Sequence, residues 1–361
     1  MGPSRVAGGG LQSASLALLH DRRVGVIALV LSLGLTVAVQ LIYFERGVIP
    51  GDAFTYLAAG ERLNAGHNLY ALSPGDRPVA LNPPYWTVPL VSPPPIAVVF
   101  RFFALFGDAG AYLWWVLQLL ALATSLAMLA RRLRPIVMAA AIAVLMIPTV
   151  YEIGVGNLNS MILLGSILVW RLGSRRREAA SGGISAVMTA VKLTPAVLVW
   201  WLLTTRRRRA LISAIVAGSA AFAISIVGAG LDSHVEYLRL LAGGTAFSPS
   251  PLSLGGIASY LGAPAVLARW LPTMFAFGGL GAVFALRHRP AWAYTAAIVT
   301  MICGSPSVSI NWFVLLYALL APVAWPAGGR GPDDEASSRP QPAGLESGES
   351  GADEEEDEAA A

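Results

Sequence analysis

Long apolar segments recur from residue 24 to residue 325, and short arginine clusters separate them. The first, residues 24–44, would measure roughly 31 Å as a helix, enough to cross a bilayer. Apolar residues make up 55% of the 361 positions and charged residues 13%. Soluble domains carry about 25% charged residues, so the pattern excludes an ordinary cytosolic globule. It leaves no soluble stretch long enough for a second core. The expected architecture is all-α, a polytopic integral membrane protein. It has a cytoplasmic segment at 1–23, one multi-pass domain at 24–325 and an acidic tail at 326–361.

Charge sets the sidedness. The net charge of +4 divides into +13 before Arg330 and −9 from there on. The basic residues fall between apolar runs, the pattern of cytoplasmic loops, so nucleic-acid binding is not implied. The tail is rich in Pro, Gly, Ser, Asp and Glu, cannot bury a core, and is expected to be a disordered cytoplasmic end. No cleavable signal is expected, because residues 11–19 lack a small-x-small cleavage site. Cys303 is the only cysteine, so no internal disulfide or Cys-rich metal site can form.

With Arg22 and Arg23 inside, residues 45–85 fall outside. Residues 53–64 read as a short helix with Asp52 at its N-cap and Gly66 past its end. Six prolines between residues 82 and 95 argue against a helix interior, so 83–107 reads as irregular chain and short helices at the outer leaflet. Arg131, Arg132 and Arg134 then land inside. Further on, 135–150 runs outward, 151–157 forms a loop and 158–172 returns to Arg175. Residues 182–205 read as a helix–break–helix hairpin around Lys192-Leu193-Thr194-Pro195, keeping Arg206–Arg209 on the inner side. Residues 210–230 run outward to a loop at 231–256, 264–286 return, and 291–303 and 312–325 complete about eight spans.

Acids, amides and imidazoles gather in the outer loops, which suggests a cleft on that face. Lys192 is the only lysine and lies within an apolar segment. An ammonium there costs about 2.5–3.5 kcal/mol on insertion scales and usually faces a cavity or a partner. By itself the residue reads equally as a phosphate clamp or as a snorkelling lysine at a turn. Asp52 reads more readily as an N-cap than as a base, although its position just outside the first span suits both. No His, Cys, Asp and Glu cluster has metal-ligand spacing, so neither metal nor cofactor is expected. Nucleotide-binding loops and a Gly-x-Ser-x-Gly elbow are missing as well.

Four stretches, in order and spacing, resemble glycosyltransferase family 87, polyprenyl-phosphate-mannose-dependent membrane enzymes of the GT-C fold. They are Gly51-Asp52-Ala53-Phe54-Thr55-Tyr56 with Gly66-His67-Asn68-Leu69-Tyr70; Leu81-Asn82-Pro83-Pro84; Gly156-Asn157-Leu158-Asn159; and Ala190-Val191-Lys192-Leu193-Thr194-Pro195. The resemblance implies Asp52 as general base. On that reading Lys192 grips the donor phosphate with Arg62 in reserve, and Tyr56, His67, Asn82, Asn157, Asn159 and Asn311 contact sugar or acceptor. Trp86 and Trp312 would stack on the sugar or anchor at the interface.

The implied partners are a polyprenyl-phosphate sugar, a glycolipid or glycan acceptor and membrane lipids. The implied location is the plasma membrane, with the site on the extracytoplasmic face. Two departures stand out: Asn157 where the family usually has Gln, and no histidine in Ser309-Ile310-Asn311-Trp312-Phe313. Rival expectations are an arabinofuranosyl donor and, lower, a lipid or sugar transporter, which would call for internal repeats.

Overall fold

The apolar run behind Arg22 and Arg23 folds as one helix, α1 (Arg22–Glu45), in the computed structural model, which describes residues 22–72, 90–175, 177–243 and 250–327. The chain continues through α2 (Gly51–Asn64), α3 (Pro94–Ala104), α4 (Asp108–Ala130), α5 (Pro135–Val155) and α6 (Asn159–Ser174). Then come α7 (Glu178–Val191), α8 (Ala196–Thr204), α9 (Arg208–Gly243), α10 (Leu254–Tyr260), α11 (Ala265–Ala285) and α12 (Pro290–Cys303). A 3₁₀ segment, Ile310–Leu320, and a last turn, Ala321–Ala324, end the domain. The described residues contain helices and no strand, so the all-α polytopic architecture holds.

Five of these helices are long and apolar enough to span: Val26–Glu45, Asp108–Ala130, Pro135–Val155, Arg208–Ala242 and Ala265–Ala285. The sequence suggested about eight. The difference lies in α6, α12 and the 3₁₀ segment, of 16, 14 and 11 residues. Each measures roughly 21–24 Å, short of a 30 Å hydrocarbon core. Their apolar residues face other helices: α6 buries Ile162, Leu163, Ile167 and Trp170.

Two expected loops are helical. Tyr151 and Glu152 belong to the last turn of α5, and residues 231–243 extend α9 beyond a kink at Gly230. Charged side chains at the ends of apolar helices had made both segments read as loops. The proline-rich stretch is described only from residue 90. There Pro94 and Pro95 open α3, where the first-turn N–H groups lack helical partners anyway.

Side-chain contacts orient the helices. Trp114, early in α4, donates from Nε1 to Gly156 O at the end of α5 (3.0 Å), so Arg131–Arg134 lie at the opposite end. The break between α7 and α8 at residues 192–195 makes a hairpin. Ser181 near the start of α7 donates from Oγ to Val169 O (2.9 Å), and a β-carbon on Gly173 would meet both Ser181 and Arg207. Both feet of the hairpin therefore stand beside Arg175 and Arg206–Arg209, and its tip carries Lys192. Small residues allow the close approach that membrane helices need; α7 buries Ser181, Gly182, Ser185 and Ala186. At the arginine end, Trp170, Trp201 and Tyr294 pack with centroids 5.1–5.9 Å apart.

Candidate active site

Pro50 occupies the N-cap position of α2, and no side chain caps that end. The capping role expected of Asp52 is therefore absent, because the residue already lies in the first helical turn. Its Oδ2 instead accepts a hydrogen bond from Asn157 Nδ2 at 2.6 Å. The far end of α2 closes as expected on Gly66, whose φ is +72°; His67 N–H returns to Arg62 O (2.9 Å) and Gly66 N–H to Leu63 O (3.2 Å).

Gly156, at φ +68°, turns the chain between α5 and α6 and lets α2 pack directly on it. A β-carbon there would fall 2.8 Å from Ala53 Cβ. Gly156→Ala should thus combine a left-handed backbone cost of about 1–2 kcal/mol with a shift of α2 away from Asn157. A lower unfolding midpoint together with slower turnover is the expected result, read by thermal denaturation in detergent and by assay.

Lys192 sits at the tip of the hairpin, where the helix has ended and the backbone is extended. Its Nζ donates to Asn159 Oδ1 at 2.7 Å and lies 3.8 Å from the centre of the Trp312 ring. Behind it Glu152 is fully buried, at 0% exposure. Its Oε1 accepts from Ser160 N–H (2.8 Å) and Oγ (3.4 Å), and its Oε2 from Asn159 Nδ2 (3.2 Å) and Asn311 Nδ2 (3.1 Å). Asn311 Oδ1 in turn accepts from Ser309 Oγ.

Asp52 and Lys192 line one cavity of about 620 Å³, together with Tyr56, Asn157, Thr194, Arg269 and Trp312. Two of its polar atoms, Asn157 Oδ1 and Thr194 Oγ1, are buried without a hydrogen-bond partner among the described residues. Such atoms are uncommon in native structures and mark a place where a ligand or water completes the set. Burial pushes the Asp52 carboxyl above its ordinary value of 3.8, and the Asn157 hydrogen bond and the Lys192 charge offset part of that rise. Beside the cavity runs an apolar groove of about 530 Å³. Pro93, Leu193, Tyr237 and Leu241 belong to both walls, so the polar and apolar spaces adjoin.

The remaining expected site residues are distributed unevenly. Tyr56 lines the cavity. Asn159 and Asn311 lie behind its wall, 0% and 1% exposed, with their amides committed to Glu152. Arg62 is 2% exposed, donates from Nη1 to Leu69 O (3.4 Å) and holds the chain after α2, outside the cavity lining. His67 is exposed and also outside it. Asn82 and Trp86 fall outside the described residues. Among the described residues, no group of His, Cys, Asp and Glu is arranged to hold a metal ion.

The profile of glycosyltransferase family 87 matches residues 91–309, more than half of the chain. The protein belongs to glycosyltransferase family 87. No curated protein and no solved structure matches it. The match covers Asn157, Glu152 and Lys192 but not Asp52, which only the fold joins to them. Two ionisable residues at this candidate site were not among those expected from the sequence: Arg269, which lines the cavity, and Glu152, which lies behind its wall. Each is an ionisable group within an otherwise apolar helix, the signal that would have found them.

Proposed function

We propose that this family 87 enzyme transfers a mannosyl or other hexosyl residue from a polyprenyl-phosphate sugar to a hydroxyl of a glycolipid or glycan. Transfer would take place on the extracytoplasmic face of the plasma membrane, with inversion at the anomeric carbon. The observation that carries the reading is the cavity that presents the Asp52 carboxylate and the Lys192 ammonium together, beside a groove suited to an isoprenoid chain. Its volume is in the range of small-molecule sites. The groove is lined in part by lipid-exposed apolar residues, among them Ile215 and Phe222.

In the proposed step, Asp52 takes the proton of the acceptor hydroxyl as that oxygen attacks the anomeric carbon. The bond from that carbon to the phosphate oxygen breaks, and its electron pair leaves with polyprenyl phosphate. Lys192, with Arg269 also lining the cavity, stabilises the added negative charge. Asn157 holds the carboxylate in place. The sugar arrives already lipid-linked, so the reaction needs no soluble nucleotide sugar. Sidedness is supported by the arginine clusters, Arg131–Arg134 and Arg206–Arg209 with Arg175, which lie at the helix ends away from the cavity, as the positive-inside rule prefers for an exterior site.

Membranes containing the protein, incubated with labelled polyprenyl-phosphate mannose, should yield a labelled glycoside of inverted configuration. Transfer from a soluble nucleotide sugar, or lipid movement across vesicles with no glycoside formed, would overturn the reading. The pH profile follows from Asp52. The base works ionised and its carboxyl is raised, so activity should fall on acidification through a value above the ordinary 3.8. Measuring kcat/KM against pH checks this, and an acid limb at or below that value would remove Asp52 as the base.

A further inference from the structure

Glu152 touches no part of the cavity, yet its hydrogen bonds lead to two groups that do. A carboxylate accepts hydrogen bonds and donates none, whereas an Asn amide does both. Asn159 therefore turns its Nδ2 to Glu152 and is left with Oδ1 facing Lys192, the one orientation that gives the ammonium an acceptor. Asn311 is fixed in the same manner, so its Oδ1 faces Ser309, another residue of the cavity wall. The chain from carboxylate to amide to ammonium spans α5, α6 and the hairpin tip. It places a negative charge behind a positive one, in surroundings where either would be costly unpaired.

We propose that Glu152 is a positioning residue for donor binding: its charge, relayed through Asn159, holds the Lys192 ammonium in the cavity. This rests on the reading of Lys192 as the phosphate contact. Trp312 completes the seat, since its ring face lies against the same ammonium. Glu152→Gln would keep the shape but remove the charge and set an Nε2 donor either against the two Asn amide donors or against the Ser160 N–H. Relief by turning the Asn159 amide would put its NH₂ against Lys192 and drive the ammonium from its place.

The test compares wild type, Glu152→Gln, Lys192→Met and the double variant, with labelled polyprenyl-phosphate mannose as donor. Glu152→Gln alone should raise the donor KM about tenfold with a smaller change in kcat, while adding it to Lys192→Met should change KM less than about twofold, because coupled residues are non-additive. An unchanged KM in the single variant, or equal effects in both backgrounds, would overturn the proposal. If Glu152→Gln fails to accumulate, recovery of the protein in the double variant supports the pairing, and failure of both makes the residue structural and overturns it. If wild type uses no polyprenyl-phosphate sugar, the functional reading fails by itself. The unfolding midpoints of the same four proteins then still report whether the two charges are coupled.

Discussion

Asp52→Asn should leave membrane insertion and abundance at wild-type levels and lower glycosyl transfer by about 10²–10⁴-fold, the range for removing a positioned general base. The substitution keeps the size of the side chain but cannot take a proton. Asn157 Nδ2, which now donates to Asp52 Oδ2 at 2.6 Å, could still donate to the new amide oxygen. The helix N-terminus is not at risk, because Asp52 makes no capping bond there. Loss of turnover with unchanged thermal stability and unchanged donor binding would therefore isolate the chemical step. The measurement is initial rate against donor concentration, with the unfolding midpoint determined on the same preparation. Turnover at the wild-type rate would remove Asp52 from the mechanism.

Lys192→Met is the second large effect, and it separates along a different axis. It should both weaken donor binding and slow transfer, with kcat lower by about 10²–10³-fold, the scale seen when one charge-stabilising donor is removed from a transition state. The ammonium reaches the cavity from a hairpin tip, and its contacts are one amide oxygen at 2.7 Å and one ring face at 3.8 Å. A planar guanidinium cannot reuse that seat as a compact point charge can, so Lys192→Arg should recover little. Binding of unglycosylated polyprenyl phosphate gives the independent readout. Wild-type affinity in Lys192→Met would assign the lysine to anchoring alone.

Much of the scaffold was legible in the sequence. The length and hydropathy of α1, α4 and α5, the stop at Gly66 and the break at residues 192–195 follow from local preferences and from the cost of unpaired backbone in lipid. The arginine clusters sorted the helix ends, since their charges avoid crossing. The count of spans was less legible. Apolar sequence has two uses, facing lipid and facing other helices, and hydropathy does not distinguish α6 or α12 from a lipid-facing helix.

The site was read in part. Asp52, Tyr56, Asn157 and Lys192 meet in one cavity, whereas Arg62 turned inward to hold a loop and His67 faced outward. Asn159 and Asn311, expected at the sugar or acceptor, lie behind the wall with their Nδ2 groups on Glu152. Whether an amide faces a ligand or a buried carboxylate depends on which helix packs against it, and no spacing rule carries that information.

From residue order alone came a helical membrane protein, the grouping of arginines at one end of its helices, and an acid and a lysine worth testing, because each depends on chemistry within a few turns of chain. Only the tertiary structure brought residues 52, 152, 192, 269 and 311 to one place. Helix contacts in a membrane rest on small residues and shape rather than on a hydrophobic pattern, so pairings across more than a hundred residues leave little local trace.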